Sequence, residues 1–159
     1  MVGKLEEVKR EMKRYGLNIL GVSEVRWKGQ GDFNSDGMRV IYSGGDQCKQ
    51  GVALILDEEV GRRVIEVNQV SDRLIMIKIN AKPVDVVLIQ VYMPTTEYED
   101  EEIEEMYEQI ENIINKQKED DNIIVRGDFN AVVGEGRDEK IIDKFGQGIR
   151  NDPGQMDKC

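Results

Sequence analysis

The arrangement of apolar runs predicts an α/β chain of the α+β kind, a mixed or antiparallel sheet covered by helices. Three observations predict it. Residues 38–92 hold a series of short apolar runs joined by brief polar connections, the pattern of successive strands. Two longer stretches, one near the start and one over residues 98–117, carry apolar residues at helical spacing. The second of these returns the chain to a further apolar run, which makes a strand-helix-strand crossover from Tyr92 to Asp128. This order does not fit a purely parallel, doubly wound sheet.

Each element has its own reason. In Lys4 to Tyr15, the residues Leu5, Val8, Met12 and Tyr15 fall on one helical face and charges fill the other. Glu6 and Arg10 are four apart and can pair weakly. Gly16 is the expected C-cap. Leu17 to Val22 reads as a buried strand. Lys28 to Asp36 is polar and glycine-rich, hence a loop. Its Gly-x-Gly lacks the third glycine of a dinucleotide fingerprint. Met38 to Ser43 is read as a strand, Gly44 to Gln50 as a hairpin turn, and Gly51 to Leu56 as a buried strand. Asp57 to Arg63 is a charged connection, and Val64 to Val70 a weaker, alternating strand.

Leu74 to Ile79 and Val84 to Tyr92 are strong strand candidates, and the short Asn80 to Pro83 link favours an antiparallel hairpin. Tyr98 to Gln117 is the longest helix, with Ile103, Met106, Tyr107, Ile110, Ile113 and Ile114 in one stripe. Thr96 with Glu99 forms a candidate capping box. The acids at 99–102 suit the positive end of the helix dipole and read as a solvated face rather than a metal cluster. Ile123-Ile124-Val125 does not alternate, as expected of a strand covered on both faces. From Glu135 onward the pattern thins, and Asp152-Pro153-Gly154 is turn chemistry.

Composition narrows the function. One domain is the natural reading of 159 residues. Mean hydropathy is -0.52, and no apolar run approaches the length of a bilayer span. The first residues carry no apolar signal region. Cys48 and Cys159 alone imply no disulfide framework, so an intracellular, reducing compartment is expected. A formal charge of -10 is poor for passive binding to a phosphate backbone and suits a site that recruits cations. The chain has no histidine. That excludes a histidine base, a histidine metal ligand and any Ser-His or Cys-His pair within it.

The candidate chemistry gathers at strand ends, where ligands bind in α/β sheets. Asn122 to Gly134 reads NIIVRGDFNAVVG. Gly127 permits a sharp turn there. Beyond it Asp128 can orient a water or take its proton, and Asn130 can bond a charged oxygen without adding charge. Glu24 follows the Leu17 to Val22 run. If the strands are neighbours, Glu24 and Asp128 come close, and two carboxylates repel unless a cation joins them. Magnesium is commonly held by one or two carboxylates, water and phosphate oxygens. Tyr92, before the strand-ending Pro94, would stand at the lip with its hydroxyl free to donate to a phosphate. Each residue also has a plainer reading. Asp and Asn favour turns, Glu24 suits a solvated loop, and Tyr92 and Trp27 suit half-buried packing.

Together these segments resemble the endonuclease/exonuclease/phosphatase superfamily, specifically the apurinic-type endonuclease domain of RTE-class non-LTR retrotransposons. The resemblance runs through LGVSEVRWKGQG from Leu20, YSGG from Tyr42, GVALIL from Gly51, IQVYMPT from Ile89, GDFNAVVG from Gly127 and FGQGIRND from Phe145. Each motif alone is weak, and six in order are specific. The resemblance implies a four-layer α/β sandwich, two mixed sheets face to face with helices outside. It implies Glu24 as metal ligand, Tyr92 as donor to the scissile phosphate, Asp128 as the residue acting on the attacking water, and Asn130 as the group steadying the pentavalent phosphate. The cofactor would be Mg2+, with Mn2+ as the alternative, and the partner DNA, in the nucleus.

The chain also departs from that pattern. It begins at the first helix, after the family's opening strand and its asparagine. It lacks the Trp-rich stretch, the Asn-Gln-Ile-Asp-Tyr motif and the closing Ser-Asp-His. The expectation is therefore a single, incomplete domain over 1–159, a partial sandwich lacking the family's last strands. Two function classes follow. One is a magnesium-dependent DNA endonuclease domain, inactive in this form. The other is a non-catalytic, host-adopted interaction module or decayed remnant. A phosphatase or phosphodiesterase of the same superfamily ranks third. Uncovered strand edges would favour self-association or a partner.

Overall fold

The computed structural model describes residues 2–94 and 100–129. Among the described residues eleven elements follow one another: α1 (Val2–Tyr15), β1 (Ile19–Ser23), β2 (Gln30–Ser35), β3 (Met38–Ser43), β4 (Val52–Leu56), α2 (Glu58–Arg63), β5 (Val64–Ser71), β6 (Leu74–Ile79), β7 (Val86–Tyr92), α3 (Asp100–Asn115) and β8 (Asn122–Asp128). They make two four-stranded sheets, ordered β1-β4-β3-β2 and β5-β6-β7-β8. The first sheet is wholly antiparallel. The second is mixed, because the α3 crossover lays β8 parallel to β7.

Packing follows from the alternation of side chains along each strand. One set of apolar residues, Ile41, Val52, Leu54, Leu56, Ile75, Ile77 and Leu88 among them, fills the space between the sheets. A second set on the outer face of the second sheet, including Met76, Val87 and Ile89, meets Met106, Ile110 and Ile113 of α3. A third set on the outer face of the first sheet, Val40 and Ile55, meets Leu5 and Met12 of α1. The layers are therefore helix, sheet, sheet, helix, as expected of the sandwich. Gln69 joins the sheets through polar contacts, its Nε2 donating to the carbonyls of Gly31 and Tyr42.

Several expectations need correction. Lys28 to Asp36 is not all loop, since β2 pairs with β3 along its whole length. Its exposed edge position demands no apolar alternation, so the pattern was silent. Asp57 to Arg63 holds a short helix, with Asp57 as N-cap accepting from the Val60 amide at 2.8 Å. Neither β1 nor the Ile123 run is a fully buried strand. Both lie at sheet edges, β1 is only half-buried throughout, and Ile124 is 48% exposed. Tyr15 leaves the apolar stripe of α1 and stands 65% exposed with the Arg14 guanidinium over its ring. Glu6 pairs with Lys9 rather than Arg10, because Lys9 is buried and reaches Asp36 across the fold. The capping box at Thr96, Asn130 and everything from Glu135 onward lie outside the described residues.

One ion pair is well shielded. Lys78 Nζ donates to Asp121 Oδ2 at 2.6 Å, with the two side chains 10% and 4% exposed. This bond, opposed by desolvation and aided by the Lys118 amide, holds the Asp121 carboxyl below its usual value near 3.8. A carboxylate whose folded value is lowered stabilises the fold above the unfolded value and stops doing so as pH falls through the folded one. Thermal unfolding followed from about pH 5 to about pH 2 should show a declining midpoint. Asp121→Asn should start lower, because Lys78 loses its counter-charge, and should decline less steeply.

Candidate active site

Three of the four residues picked out as the candidate site meet at one end of the sandwich. Glu24 follows β1 directly. Val25, 1% exposed, plugs the core beside it, and its amide donates to the Gly51 carbonyl at 3.2 Å. Glu24 and Arg26 on either side both adopt left-handed backbone, at φ 56° and 54°. Such values are uncommon outside glycine and Asn. The buried valine thus anchors a tight excursion that leaves the Glu24 side chain half-exposed at the rim.

Tyr92 ends β7 and Asp128 ends β8, and the parallel register makes them direct neighbours. Gly127 makes that register possible. It sits at φ 150°, and a Cβ there would overlap the Val91 carbonyl of the adjoining strand. Only glycine allows the close approach. Past the pair the Met93 amide donates to the Asp128 carbonyl at 2.8 Å.

The Tyr92 hydroxyl crosses to the other sheet and donates to Glu24 Oε1 at 2.9 Å. Burial first, then this hydrogen bond and the charge of Glu24, push the phenol above the ordinary tyrosine value of 10.0, and Asp128 adds to the shift. The hydroxyl therefore stays protonated, a donor, through neutral pH. Behind the ring lies Arg73, 8% exposed, its guanidinium 5.1 Å from the ring centroid. Arg73 also accepts the Tyr92 amide on its carbonyl at 2.8 Å. A buried guanidinium on an aromatic face is both packing and a counter-charge for the carboxylates nearby.

Glu24, Tyr92 and Asp128 are thus gathered about one hydroxyl, while Asn130 falls outside the described residues. Arg73 was not anticipated. A charged residue just before an apolar strand reads as the end of a turn, and nothing in its neighbours signals a ring 19 positions later. Beside the trio opens a cleft of about 510 Å³, lined by Gly21, Ser23, Gln90, Arg126, Gly127 and Asp128.

The donor set suits a hard divalent cation. Glu24 and Asp128 offer carboxylate oxygens only, which fits magnesium or manganese with water completing the shell. No group of three or more Asp, Glu, Cys or His able to hold a metal occurs among the described residues. A two-carboxylate site of this kind would depend on water and substrate oxygens for most of its ligands.

Comparison with known proteins bears on the fold. No family model matches the chain. It is 37% identical over 154 residues to craniofacial development protein 2 of Bos taurus, and 36% identical over 160 residues to that of Tragulus javanicus. These alignments take in 96% and 99% of the chain but 26% and 28% of the relatives, so the chain spans about a quarter of the length of the curated relatives it matches. Among solved structures it is similar to humanized D. rerio TDP2, with TM-score 0.58 and 12% identity over 87% of this chain and 57% of that one. It is also similar to D. rerio TDP2 complexed with single strand DNA product, with TM-score 0.56 and 11% identity over 87% and 56% of the two chains. An endonuclease/exonuclease/phosphatase family protein from Leptotrichia buccalis gives TM-score 0.56 at 18% identity, over 82% and 61%. These structural likenesses show that the chain has the endonuclease/exonuclease/phosphatase fold.

The packing of Tyr92 separates its two roles. Tyr92→Phe keeps the ring on Arg73 and deletes one part-buried hydrogen bond, so urea unfolding should register a loss of about 0.5–1.5 kcal/mol. Tyr92→Ala empties part of the inter-sheet core and should cost about 3–5 kcal/mol.

Proposed function

We propose that this chain carries the phosphodiester-hydrolysing site of a DNA endonuclease-type domain of RTE retrotransposon descent, acting in the nucleus, and that the chain as given does not cleave DNA at a meaningful rate. The observation that carries the reading is the hydrogen bond from Tyr92 to Glu24 beside Asp128, with Asp128 ending a strand of one sheet and Glu24 in the loop after a strand of the other. A carboxylate for a cation, a neutral donor and a second carboxylate for water are the parts that in-line hydrolysis requires.

Each residue has a distinct task in this reading. Glu24, helped by Asp128, would hold Mg2+ or Mn2+. The cation supplies charge neutralisation on the phosphate when bound. Tyr92 keeps its proton, so its hydroxyl can turn from Glu24 to a phosphate oxygen without a change of charge. Asp128 orients the attacking water and takes its proton. Asn130 is assigned by resemblance to steadying the pentavalent phosphate.

What argues against turnover is the lack of any histidine. In the resembling family a histidine stabilises charge in the transition state, and one such contact is worth about a hundred- to a thousand-fold in rate. Residues that act as a unit do not rescue one another. The acidic chain also gains little from the DNA backbone. Plasmid nicking with magnesium is expected to stay at the level of an Asp128→Ala control. Mn2+ binding, read by electron paramagnetic resonance, should be weak and should disappear in Glu24→Gln. Nicking that Asp128→Ala abolishes would overturn the inactivity. Mn2+ binding indifferent to Glu24 would overturn the site.

The partner is DNA if the endonuclease ancestry holds, as the DNA-bound TDP2 neighbour supports. Among the described residues β1 and β8 end their sheets and Ile124 of β8 is exposed, which also favours self-association. Sedimentation velocity over a concentration series should show growing assemblies, reduced in Ile124→Lys. A monomer at every concentration would count against it.

A further inference from the structure

The cleft beside Asp128 holds groups that the proposed hydrolysis does not use. Ile123 and Val125 of β8 pack outward against the α3 layer, so Ile124, Arg126 and Asp128 face the space between the sheets. The parallel register sets Arg126 next to Gln90, just as it sets Asp128 next to Tyr92. On the facing sheet Ile19 points inward and Leu20 and Val22 outward, so Gly21 and Ser23 line the same space. The floor is Gln90, only 2% exposed. Its carboxamide lies on Gly21, where a Cβ would overlap it, and its Oε1 has no hydrogen-bond partner among the described residues. Arg126 is half-buried on the wall and has no ion pair among the described residues.

A buried carboxamide oxygen and a half-buried cation, neither with a partner among the described residues, are each unfavourable in an isolated fold. Both are relieved by one kind of ligand. An anionic group with several oxygens and a water shell pairs with the guanidinium, and its oxygens or waters reach the carboxamide and the Ser23 hydroxyl. The assignment of oxygen and nitrogen in a carboxamide follows from its partners, so Gln90 can present either end. Asp128 at the mouth repels an anion, which makes the charge of Arg126 the deciding contribution.

We infer that Arg126, Gln90 and Ser23 form a phosphate-binding subsite inside the cleft, adjoining the Glu24–Tyr92–Asp128 site. The hydrolase reading supplies only the identity of that phosphate, as a neighbouring phosphate of the same nucleic-acid strand. The cleft volume of about 510 Å³ admits a nucleotide unit.

The test uses the 159-residue chain, dilute enough to be monomeric by sedimentation, in EDTA so that neither metal nor cleavage enters. Phosphorus NMR line broadening is titrated with inorganic phosphate and with a thymidine bisphosphate. Both ligands are expected to broaden, and added salt should weaken both. Arg126→Gln should reduce apparent affinity roughly tenfold or more, Arg126→Lys should restore part of it, and Gln90→Leu should reduce it several-fold. Arg10→Gln, on the outer helix α1, should change nothing. Tighter binding of the bisphosphate assigns the subsite to a strand, and equal binding assigns it to free phosphate. No broadening at all, or equal affinity in folded Arg126→Gln, overturns it. Phosphate binding with no Mn2+ at Glu24 would retain the subsite and remove the hydrolase reading, so the two fail separately.

Discussion

The hydrogen bond between Tyr92 and Glu24 ties together everything else at the candidate site, because one end lies on β7 and the other in the loop that follows β1 of the other sheet. Its length is set by how the sheets are held apart, and that is set by the side chains between them. Tyr92 is itself one of those side chains, 7% exposed and packed with Leu88 and the apolar residues of β4 and β6. The ring is a core residue, while its hydroxyl meets Glu24 at the rim. Such a group is preorganised by packing density rather than by a flexible loop. Arg73 behind the ring completes the seat and brings a positive charge toward two carboxylates that would otherwise repel.

Glycine has a complementary role on the edge strand. At Gly127 the backbone takes a conformation closed to other residues and draws β8 against the Val91 carbonyl. Asp128 is thereby placed in register with Tyr92 rather than past it. Gly21 does the same between the sheets, leaving room for the Gln90 carboxamide. The proposed reaction site and the proposed phosphate subsite therefore share a design. A missing side chain on one strand admits a polar group from its neighbour, and both glycines lie within one residue position of the strand ends that carry the chemistry or one alternation below them.

Much of this was legible in the sequence, for a physical reason. Val52–Leu56 is a continuous apolar run, and Leu74–Ile79 one broken only by Lys78, because the sandwich covers both their faces. The ends of such runs locate Tyr92 and Asp128 without knowledge of the pairing. The same signal misled at β1 and β8. An apolar run identifies a strand but not which neighbours cover it, and both proved to be edges. β2 was missed because an exposed edge strand needs no apolar residues. α2 was missed although Asp57 and the Glu–Arg pairs four apart were in view, since six residues give no periodicity to read. Arg73, Gln90 and Arg126 were invisible because their meaning lies in partners on other strands.

The loop at Glu24 carries an implication for how this fold tolerates change. Two non-glycine residues in left-handed backbone, on either side of one buried valine, each cost about 1–2 kcal/mol relative to an unstrained turn. Glycine or asparagine at position 24 would relieve that cost and at the same time remove the carboxylate. Selection for folding alone pushes this position toward the small residues, and selection for the carboxylate pushes it back. The residue found at position 24 in other chains of this fold thus works as a gauge, separating lineages in which the cleft is still under chemical demand from those in which only the scaffold is kept.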